Sequence, residues 1–310
     1  MTVEREKVVI VRTQVGRVAG AVAVVGAVVS GCGSGPSQVG SAVIVGSDAV
    51  PLSQVQSQLD VALGKTAAVS QLAYQGVGTD DIARDVVSRA VVHDLLQRAA
   101  ANEGIVVGDQ QVDAALAAIG GADAATQSSL YNLSALRERV RDEITAAELA
   151  RRYVDRLTVT VDVAAATSRA DAEAKARAIA AGGPAADAVF STNAQKGLKF
   201  SAAADPEAAS GALFGTTAGK IAVFQPAPSQ SSWIVMRVVD RRTDATPAGP
   251  SVANQIDQAT LVKIGERLLQ PMADELGVRV NPRYGVWDPI QLRVVAQGQE
   301  AGTIMTPTAG

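Results

Sequence analysis

Histidine and cysteine, two residue types that often carry chemistry, each occur once in this sequence of 310 residues, as His93 and Cys32. One cysteine excludes an internal disulfide and a metal cluster of several thiolates. One histidine excludes histidine-rich metal sites and reactions that need two imidazoles. The chain also lacks the Gly-x-Ser-x-Gly pattern that presents a nucleophilic serine. These absences predict no metal site and no cofactor, and they leave no catalytic residue identified.

The carboxylates that stand side by side also give no acid–base pair. Asp80 and Asp81 are adjacent, as are Asp142 and Glu143, but adjacent side chains on a helix point in different directions. A longer run of charges follows the predicted helix around Asp142. Its members are Arg137, Glu138, Arg141, Asp142, Glu148 and Arg152. We interpret this run as a solvated face.

His93 comes eleven residues after Ile82, almost three helical turns, and is therefore on the apolar side of its predicted helix. This position is typical of a partly buried histidine held by hydrogen bonds. A pH-responsive role is the alternative, because histidine changes its charge near neutral pH. Its nearest oxygen ligand in the sequence, Asp94, points to a different face, so we expect no metal site here.

The overall composition is that of a globular protein. Hydrophobic residues make up 47% and charged residues 19%, and the length suggests roughly two domains. A formal charge of −3 and a pI of about 5.3 argue against nucleic acid as a partner, because phosphate binding needs a basic surface. Aromatic residues make up only 3%, which also disfavours a base-stacking surface.

The first residues have the pattern of a secretory signal. Four basic and two acidic residues give positions 1–17 a net charge of +2 (4 − 2), and twelve uncharged residues follow from Val18 to Val29. This run is too short for a membrane span, which needs roughly 20 residues. We therefore predict that residues 1–31 are a signal peptide.

The apolar run ends in Val29-Ser30-Gly31-Cys32, which resembles a bacterial lipobox. The resemblance implies that the Cys32 thiolate takes a diacylglyceryl group and that cleavage leaves Cys32 as the first residue. Residues 32–40 would then be a flexible tether. We expect an anchor in the bilayer through acylated Cys32, on the outer, extracytoplasmic face of the cell membrane. The alternative is a short buried segment with an incidental cysteine.

Apolar residues recur at helical spacing through most of residues 41–157. A short strand at 42–46 comes first, and a capping box of Ser53 and Gln56 predicts the start of the next helix. The later helices of this predicted helical module are expected at 79–102, from Asp109 to about 119, and at 129–157.

The apolar pattern changes to a period of two at Thr158, which predicts a strand and a small α/β insert over 158–245. Within the insert, residues 191–220 contain few large apolar side chains and are expected to be loop. Residues 251–285, a helix up to 276 and then an extended segment, are predicted to return to the helical module. The tail at 296–310 contains Gly, Thr and Pro and is expected to be disordered.

Two stretches resemble the SurA/trigger-factor type of chaperone module. Ala42-Val43-Ile44-Val45-Gly46 with Val50-Pro51-Leu52-Ser53-Gln54-Val55 is similar to its opening, and Glu103-Gly104-Ile105-Val106-Val107-Gly108-Asp109-Gln110-Gln111-Val112 is similar to its next hallmark. The resemblance implies an α+β, mainly α-helical fold. A SurA N-terminal-like helical module would be completed by a C-terminal helix and interrupted by a small α/β, parvulin-like insert.

In that family a parvulin prolyl-isomerase domain often lies between the two helical parts, where this chain has its insert. Residues 212–220 resemble the parvulin Phe-x-Leu-x-x-Gly segment, and residues 233–238 resemble its last strand. The catalytic histidines of the parvulin first and last strands have no counterpart here. The resemblance therefore implies a degenerate insert without enzymatic activity. The candidates for a remnant peptide pocket are Phe224, Trp233 and Met236.

Together the resemblance and the predicted anchor favour a membrane-tethered holdase that shelters unfolded secreted proteins and does not isomerise proline. Its partners would be unfolded or extended polypeptides and the bilayer. Two alternatives remain open: a lipoprotein that binds one defined cell-envelope partner, and an isomerase with unusual catalytic residues. The holdase hypothesis requires an apolar groove between helices, wide enough for an extended peptide.

Overall fold

The structure is a computed structural model that describes residues 38–191, 194–226 and 231–307. The strands are β1 Ser41–Val45, β2 Asp48–Pro51, β3 Thr158–Ala166, β4 Ala194–Ser201, β5 Ile221–Phe224, β6 Trp233–Arg242, β7 Val278–Val280, β8 Val286–Asp288, β9 Arg293–Val295 and β10 Gly302–Met305. The first eight helices are α1 Leu52–Gly64, α2 Thr66–Tyr74, α3 Thr79–Glu103, α4 Asp109–Ala118, α5 Ala122–Gln127, α6 Leu133–Tyr153, α7 Arg169–Ala181 and α8 Gly183–Val189. They are followed by α9 Pro206–Ala209, α10 Ala212–Gly215, α11 Gln258–Arg267 and α12 Gln270–Leu276. The mixed α+β class is confirmed.

The smaller sheet of the helical module joins distant parts of the chain. Its order is β2-β1-β7, with antiparallel pairs, so β1 pairs both with its hairpin partner and with residues 278–280. All five residues of β1 are buried, and Ala42, Val43 and Val45 belong to the core cluster that includes residues of α1 and α3. The Asn281 side-chain amide donates to the Ser41 carbonyl at 3.0 Å. The C-terminal segment is thereby fastened to the first strand.

The helices α6 and α11 cross in close contact. A Cβ on Gly265 of α11 would lie 1.9 Å from the carbonyl oxygen of Ala146 on α6, so only glycine fits at the crossing. Leu261 and Ile264 of α11 are buried in the same cluster as Ala150 of α6. This contact places one face of α11 beside the helices that precede the insert.

The insert is built on an antiparallel sheet of order β10-β5-β6-β3-β4. Helix α7 covers one face through Ala172, Ala176 and Ile179. An ion pair joins the neighbouring strands β3 and β6, where the partly exposed Arg237 donates from Nη2 to Oδ2 of the buried Asp162 at 2.5 Å. The paired strands, the helix that covers them and this ion pair make the insert a closely packed body.

The expectation of a disordered tail at 296–310 is wrong for its strand-forming part. Residues 302–305 form β10, which pairs along its length with β5. A Cβ on Gly302 would lie 1.9 Å from the Val223 carbonyl oxygen, so a glycine is required for this approach. The buried Asp288 carboxylate accepts a hydrogen bond from the Ala301 amide at 2.7 Å and fixes the entry to the strand.

Three further expectations are wrong in detail. Residues 191–220 are not loop throughout, because β4 is an edge strand, and its positions, none of which is buried, need few large apolar residues. The capping box of Ser53 and Gln56 does not form, because α1 begins at Leu52, directly after Pro51. The predicted helix at 252–276 is two helices, the first of which begins after Asp257, whose side chain accepts from the Thr260 amide at 3.0 Å.

Candidate functional site

An open groove of about 510 Å³ lies between α1, α3 and α6, and we call it the α1/α3 groove. Apolar surface predominates in its lining, with charged groups interspersed. The lining residues that matter below are Gln54, Ser57, Gln58 and Val61 of α1, Arg89, Val92, His93, Asp94 and Leu96 of α3, Leu130 and Tyr131 before α6, Ala135, Glu138, Arg139, Asp142 and Glu143 of α6, and Glu266 of α11.

The walls of the groove are helices anchored to the core by their other faces. The α1 residues of the groove recur at three- and four-residue spacing and therefore share one face. Elsewhere on α1, Val55 and Ala62 are fully buried. On α3, Val87 and Val91 are fully buried, whereas the Arg89 side chain on the groove side is 28% exposed. The groove is thus formed by rigid elements before any ligand arrives.

His93 and Asp142 join α3 to α6 within the groove. The imidazole Nδ1 lies 2.9 and 3.0 Å from the two carboxylate oxygens, and the two side chains are 33% and 17% exposed. The hydrogen bond to Asp142 raises the pKa of His93, while partial burial acts in the opposite direction. The prediction of a partly buried, hydrogen-bonded histidine is confirmed. The assignment of Asp142 to a solvated face is wrong, because the fold brings it against a residue 49 positions away.

Tyr131 is held between two guanidinium groups at one end of the groove. The Arg89 Cζ lies 4.4 Å and the Arg139 Cζ 5.3 Å from the centroid of its ring. Arg139 also donates to the Tyr131 hydroxyl and, at 2.8 Å, to the Glu143 carboxylate. These cation–π contacts and hydrogen bonds hold the ring in place, and the partly buried ring also packs against the core cluster of α4 and α6. The ring is therefore a fixed feature of an otherwise open surface.

A second cavity of about 680 Å³ adjoins the α1/α3 groove at Tyr131. The two cavities share Leu130, Tyr131, Arg139 and Glu143. The second cavity is otherwise lined by residues of α2, α5 and α6, together with Ile119, which is 60% exposed. The surface that could contact a ligand thus extends past Tyr131.

Helix α2, which lines the second cavity, is apolar and yet unburied. Six of its nine residues, Thr66–Tyr74, are Ala, Val, Leu or Tyr, and none of the nine is buried. Tyr74 is 94% exposed. Its start is tied to α5, because the Lys65 ammonium donates to the Thr126 carbonyl at 3.1 Å. An apolar helix of this kind indicates an interaction surface rather than a core element.

Within the described ranges, no group of three or more His, Cys, Asp and Glu side chains is placed to hold a metal ion. None of the described helices combines the length and apolar character needed to cross a membrane.

Burial raises the pKa of the Glu266 carboxyl, and the neighbouring Arg139 charge partly opposes this rise in the pKa.

The structure does not bring the three candidates for a remnant pocket together. Met236 is 1% exposed and belongs to the core cluster on one face of the insert sheet, where Phe224 packs against the same cluster. Trp233 packs against the cluster on the other face, beneath α7. Positions 233 and 236 differ by an odd number, so a regular strand points them to opposite faces. A single pocket lined by all three is therefore wrong.

The predicted lipobox of Val29, Ser30, Gly31 and Cys32 lies outside the described residues. The groove residues Arg89, Tyr131, Arg139 and Glu266 were not singled out by the sequence patterns. Three of them carry charges that resemble those of any solvated helix face, and their convergence depends on contacts between separate elements. One local signal for this surface is the set of Ser and Gln residues on α1, which occupy a different face of the helix from the buried Val55 and so indicate a solvent-accessible side.

No family model matches the chain, and no curated protein matches it. Two solved structures show a distant likeness. One is a peptidylprolyl isomerase (PrsA) from Bacillus anthracis, with 13% identity, 62% of this chain and 97% of that chain covered, and a TM-score of 0.23. The other is the foldase protein PrsA from Streptococcus pneumoniae, with 8% identity, 76% and 94% covered, and a TM-score of 0.24.

Proposed function

We propose that this protein is a membrane-anchored, extracytoplasmic chaperone of the holdase type, which binds unfolded or extended segments of secreted proteins. The observation that carries the proposal is the α1/α3 groove and the cavity that adjoins it at Tyr131. An extended peptide needs an open, mostly apolar channel between rigid walls, with polar groups that orient its backbone. The Gln and Ser side chains of α1 are suited to orienting a peptide backbone through hydrogen bonds.

The weak selectivity expected of a holdase agrees with the chemistry of these surfaces. The apolar lining consists of small and aliphatic side chains such as Val61, Val92 and Ala135, and Tyr131 is its single aromatic residue. Such a surface accepts many apolar sequences without a deep, shape-selective pocket. The exposed apolar helix α2 widens the surface that a client can contact.

The proposal assigns no prolyl-isomerase activity to the insert. The single histidine of the chain lies on α3 and not in the insert. The side chains suggested for a proline pocket are divided between the two faces of the insert sheet, and Met236 is buried in its core. Rotation about an X–Pro bond has a barrier of roughly 18–20 kcal/mol, and lowering it requires a shared pocket around the proline and its amide.

The first experiment measures aggregation of several unrelated unfolded secreted proteins in the presence of residues 33–310. The rate of X–Pro exchange in a test peptide is recorded in the same sample. We expect broad suppression of aggregation without faster exchange. Suppression of one client only would replace the holdase with a dedicated binder, and faster exchange would overturn the assignment of an inactive insert.

A groove-filling variant connects the activity to the site. Ala135→Trp places a large ring in the α1/α3 groove, whereas Ala117→Trp adds the same ring at an exposed position of α4 outside both cavities. We expect the first variant to weaken client binding about tenfold, which corresponds to about 1.4 kcal/mol, and the second to leave it unchanged. Equal activity of both variants would place the binding surface elsewhere.

The anchor is tested separately from the chaperone activity. Cys32→Ala removes the thiol that would be acylated, so we expect the protein to lose its lipid and to leave the membrane fraction. A product that is still acylated and membrane-bound would contradict the predicted lipobox. Aggregation suppression by the soluble variant should stay unchanged, because Cys32 lies before the residues that form the groove.

A further inference from the structure

The charges in the α1/α3 groove are unbalanced. Five carboxylates line it, and the cations in the same lining are two guanidinium groups and one imidazole. The carboxylates are Asp94, Glu138, Asp142, Glu143 and Glu266, and the cationic or ionisable bases are Arg89, Arg139 and His93. With neutral His93 the lining carries a net charge of −3 (2 − 5), and with protonated His93 it carries −2.

The cations of the groove already have acidic partners. Arg139 lies 2.8 Å from Glu143, and His93 lies 2.9 Å from Asp142. Arg89 pairs at 3.2 Å with Asp85, outside the groove lining, and its guanidinium also stacks on Tyr131. Each of these cations therefore has a direct acidic partner. Of the remaining carboxylates, Asp94 pairs at 2.8 Å with Arg98, which lies outside the groove lining.

Two groove carboxylates, Glu138 and Glu266, have no hydrogen bond or ion pair to any other described residue. Glu138 is exposed at the rim, whereas Glu266 is partly buried on α11. Burial raises the pKa of Glu266, and Glu143 and Asp142 act in the same direction, whereas the nearby charges of Arg139 and Arg267 partly oppose this shift of the pKa. A partly buried carboxylate with no partner costs free energy, and a ligand cation beside it would recover that free energy.

Apolar surface surrounds this acidic excess. Val61 of α1 and Val92 and Leu96 of α3 line the same groove, together with Leu130. Lysine and arginine combine a charged head with an aliphatic stem that packs on such surface. A purely apolar segment would give the Glu266 carboxylate no direct ion pair, and an acidic segment would be repelled.

We propose that the α1/α3 groove selects extended polypeptide segments in which a lysine or arginine is flanked by apolar residues, with the basic head beside Glu266 and its stem on the valine and leucine side chains of the groove. This inference deepens the proposed holdase function and rests on it. Charge complementarity thereby adds a preference to a surface whose apolar lining alone would select little.

The test uses three unstructured, fluorescently labelled peptides that differ at one central position. That position is Lys, Gln or Glu, and its neighbours are apolar. Binding to residues 33–310 is measured by fluorescence anisotropy at neutral pH and low salt. We expect the Lys peptide to bind about tenfold more tightly than the Gln peptide and the Glu peptide to bind most weakly.

Glu266→Gln tests the residue that carries the proposal. The variant keeps the shape of the side chain and removes a charge whose raised pKa marks it as unfavourable in the free protein, so it should fold at least as stably as the wild type. We expect the advantage of the Lys peptide over the Gln peptide to fall to within about twofold, with little change for the Gln peptide. Glu275→Gln, at an exposed position of α12 outside the groove lining, is the matched control and should keep the full preference.

The outcomes separate the inference from the function on which it rests. Equal binding of all three peptides, or an unchanged preference in Glu266→Gln, would overturn the basic-segment inference and leave the holdase intact. Failure of the wild type to bind any peptide or to suppress aggregation would overturn the holdase itself. Binding of spermidine with the same dependence on Glu266, but no peptide binding, would assign the groove to a diffusible amine and overturn the inference.

Discussion

The insert sheet and the α1/α3 groove use apolar side chains in opposite ways. In the insert, Met236 and Val238 are at most 1% exposed, and the buried Asp162 pairs with Arg237 in the same sheet. Around the groove, α2 buries none of its residues, and Tyr131 is held by stacked guanidinium groups. The insert sheet therefore buries its apolar side chains in a core, whereas those around the groove remain open to a ligand.

The largest effect should come from the insert core. Met236→Ala removes a fully buried side chain from between β5 and β3, and we expect it to lower the free energy of unfolding by about 2–5 kcal/mol. Val239→Ala, on the same strand but 51% exposed, should change it by less than about 0.5 kcal/mol. Chemical denaturation measures both. Similar losses of unfolding free energy in the two variants would contradict the assignment of Met236 to the core and Val239 to the surface.

Tyr131 should show a smaller effect on stability. Tyr131→Leu removes the stacking with Arg89 and Arg139 and the hydrogen bond, which we expect to cost about 1–2 kcal/mol of unfolding free energy. Tyr131→Phe keeps the ring and should lose less than half of that. Client binding measured on the same samples should fall in Tyr131→Leu, and unchanged binding would remove Tyr131 from the site.

The His93–Asp142 pair predicts a pH-dependent effect. The pKa of His93 is raised by Asp142, with Glu138 and Asp94 adding to the shift, so the protonated form stabilises the fold. That contribution is fully present below the unfolded value of about 6.5 and is lost as pH rises through the raised folded pKa. For this partly exposed pair we expect His93→Asn to lose about 0.5–1 kcal/mol at pH 5.5 and almost none at pH 9.

Urea unfolding of wild type and His93→Asn across this pH range is the measurement. Asp142→Asn, which removes the partner and keeps the imidazole, should abolish the same pH dependence. A difference between wild type and His93→Asn that stays constant from pH 5.5 to 9 would contradict the assigned shift.

The smallest effect on stability should come from α2. Tyr74→Ser replaces a side chain that is 94% exposed, and we expect a change of less than about 0.5 kcal/mol in unfolding free energy. If α2 belongs to the binding surface, aggregation suppression should nevertheless weaken measurably. A variant that is stable and fully active would restrict binding to the α1/α3 groove and sharpen the boundary of the site.

Local sequence patterns were sufficient to predict most of the helices and the first strand of the insert. Ser168 caps α7, where its hydroxyl accepts from the Asp171 amide at 3.1 Å, and Gly104 ends α3 in the left-handed conformation. These signals act within a few residues, so a single sequence carries them. The position of Trp233 relative to Met236 also followed from strand geometry, although the pocket prediction disregarded it.

Features that depend on distant contacts could not be read from the sequence. Residues 302–305 form a strand because β5 offers them an unpaired edge, and nothing within the tail itself indicates that partner. Likewise, Asp142 and Glu266 enter the groove through the packing of α3, α6 and α11. A charged residue has the same local pattern whether it faces solvent or a groove, so only the assembled helices distinguish the two cases.

The pairing of β1 with β7 and of β5 with β10 constrains the order in which the protein can fold. Ser41 and Asn281, which are hydrogen-bonded, are separated by 240 positions, and Ser88 and Val294 by 206. Contacts of such high sequence separation form slowly, because a long loop must close first. Synthesis proceeds from the N-terminus, so β1 keeps an unpaired edge until residues 278–280 have been made, and β5 keeps one until residues 302–305 have been made. During that interval the newly made protein is itself an incompletely folded chain with exposed strand edges, the kind of polypeptide that holdases shelter.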